Sequence, residues 1–135
     1  MISTKGRYAL RVMLDLAGQA ENTYTPLKEI AARQEISEKY LEIILKNLVK
    51  EKFLEGLRGK GGGYRLTRSP KDYTVGEIIE LAEGPLASVS CLLPDAKPCP
   101  RSGQCHTLPM WTKFDRLVHD FFYGITLDDL LREQY

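Results

Sequence analysis

The sequence lacks any long uninterrupted apolar run, and no segment approaches the length of about 20 residues that a membrane-spanning helix needs. The first 18 residues also lack the apolar core and small-residue cleavage site of a secretory signal peptide. We therefore expect a cytoplasmic protein with no membrane partner. A chain of 135 residues can bury one modest core, which excludes two large domains.

Histidine and cysteine are scarce, with two and three residues respectively. His106 and His119 accompany no pattern that assembles a base, a nucleophile and a pocket, and no Gly-Lys-Ser/Thr phosphate-binding sequence occurs. We therefore expect no enzymatic activity. An odd number of cysteines cannot pair fully within one chain, which favours metal ligation or redox sensing over structural disulfides.

Net charge is low overall, at +1, but the charges are distributed unevenly. Residues 1–68 carry 13 Lys or Arg against 8 Asp or Glu, a balance of +5, and the remainder carries 6 against 10, a balance of −4. This asymmetry indicates that the first half faces a polyanion and that the second half has another task.

Apolar residues at helical spacing predict a first helix over about 3–20, a short second helix over 25–34 and a third over 37–52. Ser37 is a suitable N-cap for the third helix. Two helices joined by a tight turn, the second with polar residues at its start, are typical of a helix-turn-helix.

Residues 53–58 and 64–67 predict a β-hairpin with a glycine-rich, basic connection. Directly after a helix-turn-helix, this hairpin is best interpreted as the wing of a winged helix. Its basic residues would then lie along a phosphate backbone and supply affinity and register. They are Arg58, Lys60, Arg65 and Arg68, with Gly61 at the flexible tip.

Thr74 and Glu77 have capping-box spacing and predict a helix that Gly84-Pro85 ends. Thr126 resembles another cap, for a short final helix. Between them a long helix over 109–124 carries bulky apolar residues at heptad-like spacing, which we interpret as a dimer seam, with an intramolecular core as the alternative. The seam residues are Trp111, Phe114, Val118, Phe121 and Ile125.

The predicted fold is thus mainly α with a small β-hairpin wing. Residues 1–84 form the winged helix-turn-helix DNA-binding region, 85–107 a cysteine-rich loop, and 108–135 the dimerisation helix and a C-terminal helix, in one compact domain.

All three cysteines lie in this loop, as Cys91, Cys99 and Cys105, separated by seven and five residues. These short spacings allow three sulfurs to converge, and thiolates favour iron-sulfur clusters, zinc and cuprous copper. His106 is the nearest candidate for a fourth ligand. The alternative is that the cysteines are ordinary buried or reactive thiols.

On the predicted recognition helix, four residues project towards DNA: Ser37, Lys39, Tyr40 and Glu42. Lys39 suits guanine or phosphate, Tyr40 suits phosphate, and Glu42 suits a cytosine amino group. Glu42 alternatively pairs with Lys39 or Lys46 on the helix surface.

Two further cations, Arg7 and Lys28, lie near predicted helix starts. We interpret both as phosphate contacts. Solvated surface charge is the ordinary alternative for each.

Four segments resemble those of a known family in their residues and in their order along the chain: KGRYAL at 5–10, ISEKYLE at 36–42, GKGGGYRL at 59–66 and TVGEIIE at 74–80. The family comprises the winged-helix regulators that include the iron-sulfur cluster regulator IscR, the nitric oxide sensor NsrR and the cysteine-metabolism regulator CymR. The resemblance implies a bacterial homodimeric transcription factor that binds a double-stranded DNA operator.

The resemblance also implies that Cys91, Cys99 and Cys105 hold an iron-sulfur cluster. The iron-sulfur assembly machinery would be the partner that donates this cluster. Two features depart from IscR: the first cysteine gap is seven residues long instead of five, and Leu108 stands where its histidine ligand is expected. Three cysteines fit a two-iron or a four-iron cluster, and we favour the two-iron type.

The expected function is to sense iron-sulfur cluster status and control cluster biogenesis genes. The alternatives are a nitric oxide or redox sensor of the same fold, and a zinc- or thiol-based winged-helix repressor.

Overall fold

The structure, a computed structural model, describes residues 2–135. It contains six α-helices and one two-stranded antiparallel sheet within this range, which confirms the predicted fold class. In chain order the elements are α1 (Thr4–Ala17), α2 (Leu27–Gln34), α3 (Glu38–Lys50), β1 (Leu54–Leu57), β2 (Gly63–Leu66), α4 (Val75–Glu83), α5 (Leu108–Tyr123) and α6 (Leu127–Arg132).

Helix starts follow local capping chemistry. Ser37 accepts a hydrogen bond from the Tyr40 amide at 3.2 Å, and Thr74 and Glu77 form a reciprocal capping box. These caps were predicted and are confirmed. The end of α1 was predicted near Ala20 but comes at Ala17, where the Gly18 amide closes the last turn onto backbone carbonyls.

The main core lies among α1, α2, α3 and α4, whose apolar stripes face one another. Tyr73 completes it at the base of the wing: its fully buried ring leaves a hydroxyl that donates to the Phe53 carbonyl at 2.7 Å and accepts from the Thr67 and Arg68 amides. The largest fully buried aliphatic residues are Val12, Met13, Ile30, Leu41, Leu45, Leu48, Leu54, Ile78, Ile79 and Leu127.

The wing is tied to the helix-turn-helix through Thr25, just before α2. Thr25 and Tyr64 exchange two backbone hydrogen bonds of 2.9 Å, so that a third segment pairs with β2. Gly63 permits this approach, because its φ is +143° and a Cβ there would lie 2.2 Å from the Thr25 carbonyl oxygen. The hairpin is therefore held against the start of α2.

Helix α5 contributes no buried residue of its own. Its last turn nevertheless packs on α4, with the Tyr123 ring over Gly76, where a Cβ would lie 2.2 Å from the ring. Burial, together with a hydrogen bond to Glu80, raises the pKa of Tyr123 to about 12.

The prediction that Ile125 belongs to the dimer seam is wrong. Gly124 ends α5, and the chain turns so that Ile125 is only 7% exposed and packs with Val75 and Ile79 in a second small core. Its carbonyl also accepts the Val75 amide at 2.8 Å. Ile125 therefore fastens the end of α5 to α4 within one chain.

Among residues 2–135, no helix combines the length and apolar character needed to cross a membrane.

Candidate nucleic-acid interface and cysteine loop

The turn between α2 and α3 is short and geometrically defined. Glu35 ends α2 with a left-handed backbone, at φ 54°, and buried Ile36 anchors the turn in the core. Ser37 then starts α3. The first turn of α3 consequently points its polar side chains away from the core, with Lys39 and Glu42 exposed.

A buried carboxylate fixes α2 against α1. The Asp15 side chain is 3% exposed and accepts from Arg33 Nε at 3.0 Å, from Arg33 Nη2 at 2.8 Å and from Gln34 Nε2 at 2.9 Å. Arg11 of α1 donates in turn to the Gln34 side-chain oxygen at 3.1 Å and to the Gln34 carbonyl. The orientation of the helix-turn-helix therefore depends on this polar cluster, which sequence reasoning did not identify.

Tyr40 is held by side chains of α1. Its ring meets the Tyr8 ring edge to face with centroids 5.7 Å apart, and the Arg11 guanidinium lies 5.1 Å from the centre of the Tyr8 ring. This packing leaves Tyr40 half-buried at the start of the recognition helix. Its predicted phosphate contact stays a prediction.

The tip of the wing exposes Arg58, Lys60 and Gly61. Between the hairpin and α3 lies an open cleft of about 710 Å³, lined by Glu42 and Lys46 on one side and Arg58 on the other. The structure thus brings recognition-helix and wing residues to one concave surface. Within the part of the chain described, Glu42 forms no ion pair with either Lys39 or Lys46.

The other two basic wing residues have partners inside the chain. Arg65 donates to Glu55 at 2.9 Å and lies over the Tyr24 ring at 4.6 Å, so its predicted phosphate contact must compete with this pair. Arg68 is likewise engaged within the chain, and its predicted phosphate contact stays a prediction. Its guanidinium donates to Glu77 at 3.1 Å and stacks 4.3 Å from the Tyr73 ring, which fastens the base of the wing to α4.

Arg7 and Lys28 are exposed at the starts of α1 and α2. Arg7 Nη2 donates to the Thr4 hydroxyl at 3.1 Å, and its remaining donors stay accessible. Lys28 stands at the N-terminus of α2, which attracts phosphate. At the N-terminus of α1 the backbone amides already donate to Glu83, so Arg7 would act there through its own side chain.

The start of α1 is also held by the end of α4. Glu83 accepts from the Gly6 amide at 2.8 Å, from the Ser3 amide at 3.1 Å and from the Ser3 hydroxyl. Burial opposes ionisation of Glu83, but these hydrogen bonds outweigh it and hold its pKa below the ordinary value. Glu83 is the last residue before the cysteine loop, so these hydrogen bonds tie the start of that loop to the start of α1.

The loop over 84–107 is built from successive turns. Cys99 and Arg101 carbonyls each accept an amide three residues on, and a short 3₁₀ turn includes Cys91. At its base, the Ser88 amide donates to Asp115 of α5 at 3.0 Å. This hydrogen bond fastens the first part of the loop, just after α4, to α5.

The three cysteines carry free thiols, with Cys91 exposed and Cys99 and Cys105 half-buried. Within residues 2–135, no three His, Cys, Asp or Glu side chains are grouped closely enough to hold a metal ion. The donor chemistry suits a thiolate-ligated group, but the loop must close to gather the sulfurs. His106 is exposed and lies beside Cys105 in sequence.

Cys105 lies where the loop meets α5. The Thr107 hydroxyl lies 3.3 Å from its sulfur, and this contact, with the Thr107 and Leu108 amides at the start of α5, lowers the pKa of Cys105. A thiolate is thus favoured where the loop meets α5.

An apolar face runs along α5. Phe114 and Phe121 are exposed, and Val118 is half-buried, in a patch that has almost no polar surface. Leu117, 59% exposed, belongs to the same patch and was not predicted. Half-buried Trp111 lies further towards the start of α5 and contacts Phe114 edge to face.

The outer face of α3 holds further residues that sequence reasoning missed, namely Ile43 and Lys50. Ile43 is 56% exposed. Two adjacent isoleucines, Ile43 and Ile44, cannot both face the core of an amphipathic helix, and this was the available signal.

Comparisons with known proteins agree with this architecture. Residues 2–133 match the model of the Rrf2 family, described as iron-dependent transcriptional regulators. The transcriptional regulator IscR of Pectobacterium carotovorum is 33% identical over 133 residues, which span 98% of this chain and 80% of that protein. The IscR of Aliivibrio salmonicida is 34% identical over 96% of this chain and 76% of its own length.

Solved structures give the same result. The global cysteine regulator CymR of B. subtilis superposes with a TM-score of 0.77 and 36% identity, covering 96% of this chain and 95% of that one. The T. potens IscR superposes with a TM-score of 0.79 and 34% identity, covering 100% and 88%.

Proposed function

Because this chain belongs to the Rrf2 family of DNA-binding transcriptional regulators, we propose that it couples operator binding to an iron-sulfur cluster held by Cys91, Cys99 and Cys105. Its family and relatives are regulators of transcription and not enzymes. The observation that carries the cluster proposal is the presence of three free thiols in one loop between α4 and α5.

DNA binding is supported by the cleft between α3 and the wing and by the excess of positive charge in the first half. Lys39 and Glu42 face the bases, and Arg58 and Lys60 face the phosphates. Phosphate contacts supply affinity and register, and base contacts supply sequence choice.

Cluster binding is supported by the donor set. When bound, an iron-sulfur cluster supplies a redox- and iron-dependent group whose presence the loop reports. The Thr107 hydroxyl lies 3.3 Å from the Cys105 sulfur and lowers the pKa of that thiol, which is the direction that thiolate ligation requires. His106 is the fourth ligand on this proposal, because it is the histidine nearest to the cysteines.

The loop is placed to act on both neighbours. Closure of the loop around the cysteines acts on its two anchors. Glu83, at the end of α4, accepts from the Gly6 amide of α1, and the Ser88 amide donates to Asp115 of α5. The first anchor adjoins Arg7 on the DNA-binding half, and the second adjoins the apolar face of α5. On this proposal a two-state loop acts on α1 through the first anchor and on α5 through the second, and so changes how the two recognition helices are spaced.

The apolar face of α5 serves as the interface between two copies. It presents large exposed side chains, Phe114, Leu117 and Phe121, that the chain itself leaves uncovered. Two-fold pairing there places two recognition helices about one turn of the duplex apart.

The test is metal and acid-labile sulfide analysis of anaerobically purified protein, with its visible spectrum. We expect iron and sulfide together with charge-transfer bands, and their loss in Cys99→Ala. Ser102→Ala, in the same loop, is the matched control and should retain both. Protein without iron or sulfide, or a Cys99→Ala variant with unchanged bands, contradicts the cluster assignment.

The three free thiols, with Cys91 exposed and the Thr107 hydroxyl 3.3 Å from the Cys105 sulfur, favour a second candidate, a thiol-based redox regulator. This regulator would change its DNA affinity with peroxide while it holds no metal. A zinc form would be colourless and indifferent to oxidants, and a nitric oxide sensor would hold a cluster that nitric oxide bleaches. The same metal analysis, followed by each oxidant in turn, separates these outcomes.

A further inference from the structure

The outermost line of the recognition helix consists of Lys39, Ile43, Lys46 and Lys50, spaced i, i+4, i+7 and i+11. All four side chains are exposed. The four buried residues of α3, Leu41, Ile44, Leu45 and Leu48, lie on the opposite face. An isoleucine thus stands in the middle of a row of lysines, on the side of the helix that points away from the protein.

Nothing in the fold explains this isoleucine. Its side chain is 56% exposed and belongs to neither hydrophobic core cluster. A β-branched side chain on an exposed helix face loses rotamer freedom and gains no packing in return. A lysine or glutamine there would favour the helix slightly more.

We propose that Ile43 is a specificity-determining residue that packs against the 5-methyl group of a thymine in the operator. The inference rests on the proposed entry of α3 into the major groove. Thymine is the one base that presents a methyl group in that groove. Isoleucine has no donor or acceptor in its side chain, so it reads apolar surface alone.

The neighbours of Ile43 fit this role. Lys39 and Lys46 flank it by one helical turn on either side and reach outward to phosphates or guanines. Glu42 is adjacent and lies at the cleft, where it accepts from a cytosine or adenine amino group. A thymine beside a base with an exocyclic amine is therefore the expected feature of each half-site.

The test uses a duplex selected in vitro by the wild-type protein from a random library. Each thymine of that duplex is then replaced singly by deoxyuridine, which removes one methyl group and leaves the base pairing intact. At one position per half-site we expect about a fourfold loss of affinity, the value for one buried methyl group. Replacement in both half-sites should lower the affinity about fifteenfold, if the two contacts are independent.

Ile43→Ala must bind the thymine and deoxyuridine duplexes equally, and Ile43→Val should keep part of the difference. Lys50→Ala is the control on the same line: it weakens all duplexes alike and keeps the deoxyuridine effect. The inference is overturned if no position responds to deoxyuridine, as expected if Ile43 contacts another protein, or if Ile43→Ala keeps the full effect. Failure to select any duplex overturns DNA binding itself, and the inference with it.

Discussion

The polar cluster that joins α1 to α2 through Asp15 and Arg33 allows the sharpest prediction about stability. Replacing Asp15 by alanine removes the acceptor of three hydrogen bonds, two from Arg33 and one from Gln34. The Asp15 side chain is 3% exposed, so water cannot replace it as a partner in the folded state. Arg33 is 40% exposed and regains part of its hydration.

These facts set the magnitude. Hydrogen bonds to charged groups contribute about 1.5–3 kcal/mol each but are not additive, and breaking a fully buried pair costs about 3–5 kcal/mol. Because Arg33 reaches solvent, we expect Asp15→Ala to lower the free energy of unfolding by about 2–3 kcal/mol. For a chain of this length the melting temperature falls by roughly 6–10 °C.

Glu29→Ala is the matched control, since Glu29 pairs with the same Arg33 at 3.5 Å but is 60% exposed. We expect a loss of about 0.5 kcal/mol or less there. The assay is urea unfolding followed by circular dichroism, at one protein concentration because the unfolding of the proposed dimer depends on concentration. A loss below about 1 kcal/mol in Asp15→Ala, or equal losses in the two variants, would show that the buried Asp15 carboxylate does not stabilise the fold as described.

Three further predictions concern DNA binding, pH and assembly. Lys60→Ala should reduce the slope of log affinity against log salt by about one, and an unchanged slope removes it from the phosphate contacts. Because the pKa of Glu83 is lowered by folding, its stabilisation is complete above the ordinary pKa of about 4.3 and is lost as pH falls through the lower folded value. At neutral pH the free energy of unfolding of Glu83→Gln should therefore be about 1 kcal/mol lower than that of the wild type. A difference between the two proteins that persists in strong acid contradicts this. Phe121→Asp should sediment as a folded monomer while Lys113→Ala keeps the wild-type mass, and a dimeric Phe121→Asp contradicts the assigned interface.

Local chemistry made the helix starts predictable. Ser37 and Thr74 act as caps through hydrogen bonds to residues three positions on, and such spacing is visible in the sequence. The hairpin was predictable as well, because its glycine-rich connection is also a local signal that is visible in the sequence. The pairing of Thr25 with Tyr64 did not, because a single pair of backbone bonds between distant segments has no pattern of its own.

Long-range contacts account for most of what was missed. Asp15 and Arg33 are 18 residues apart, and nothing in periodicity links a carboxylate on one helix to a guanidinium on the next. Ile125 continued the heptad-like spacing of α5, yet the turn at Gly124 carries it into a core that α4 supplies. Arg68 was one of four basic residues in the wing, and only the fold shows that Glu77 and Tyr73 engage it.

On the proposed function, the state of the cysteine loop controls the affinity for DNA. The decisive experiment measures the affinity of anaerobic protein for its selected duplex before and after chelation of bound metal, with Cys99→Ala in parallel. We expect the affinity to change by about 5- to 150-fold in the wild type, the usual range of coupling between sites, and not to change in Cys99→Ala. Equal wild-type affinities before and after metal removal would contradict this proposal.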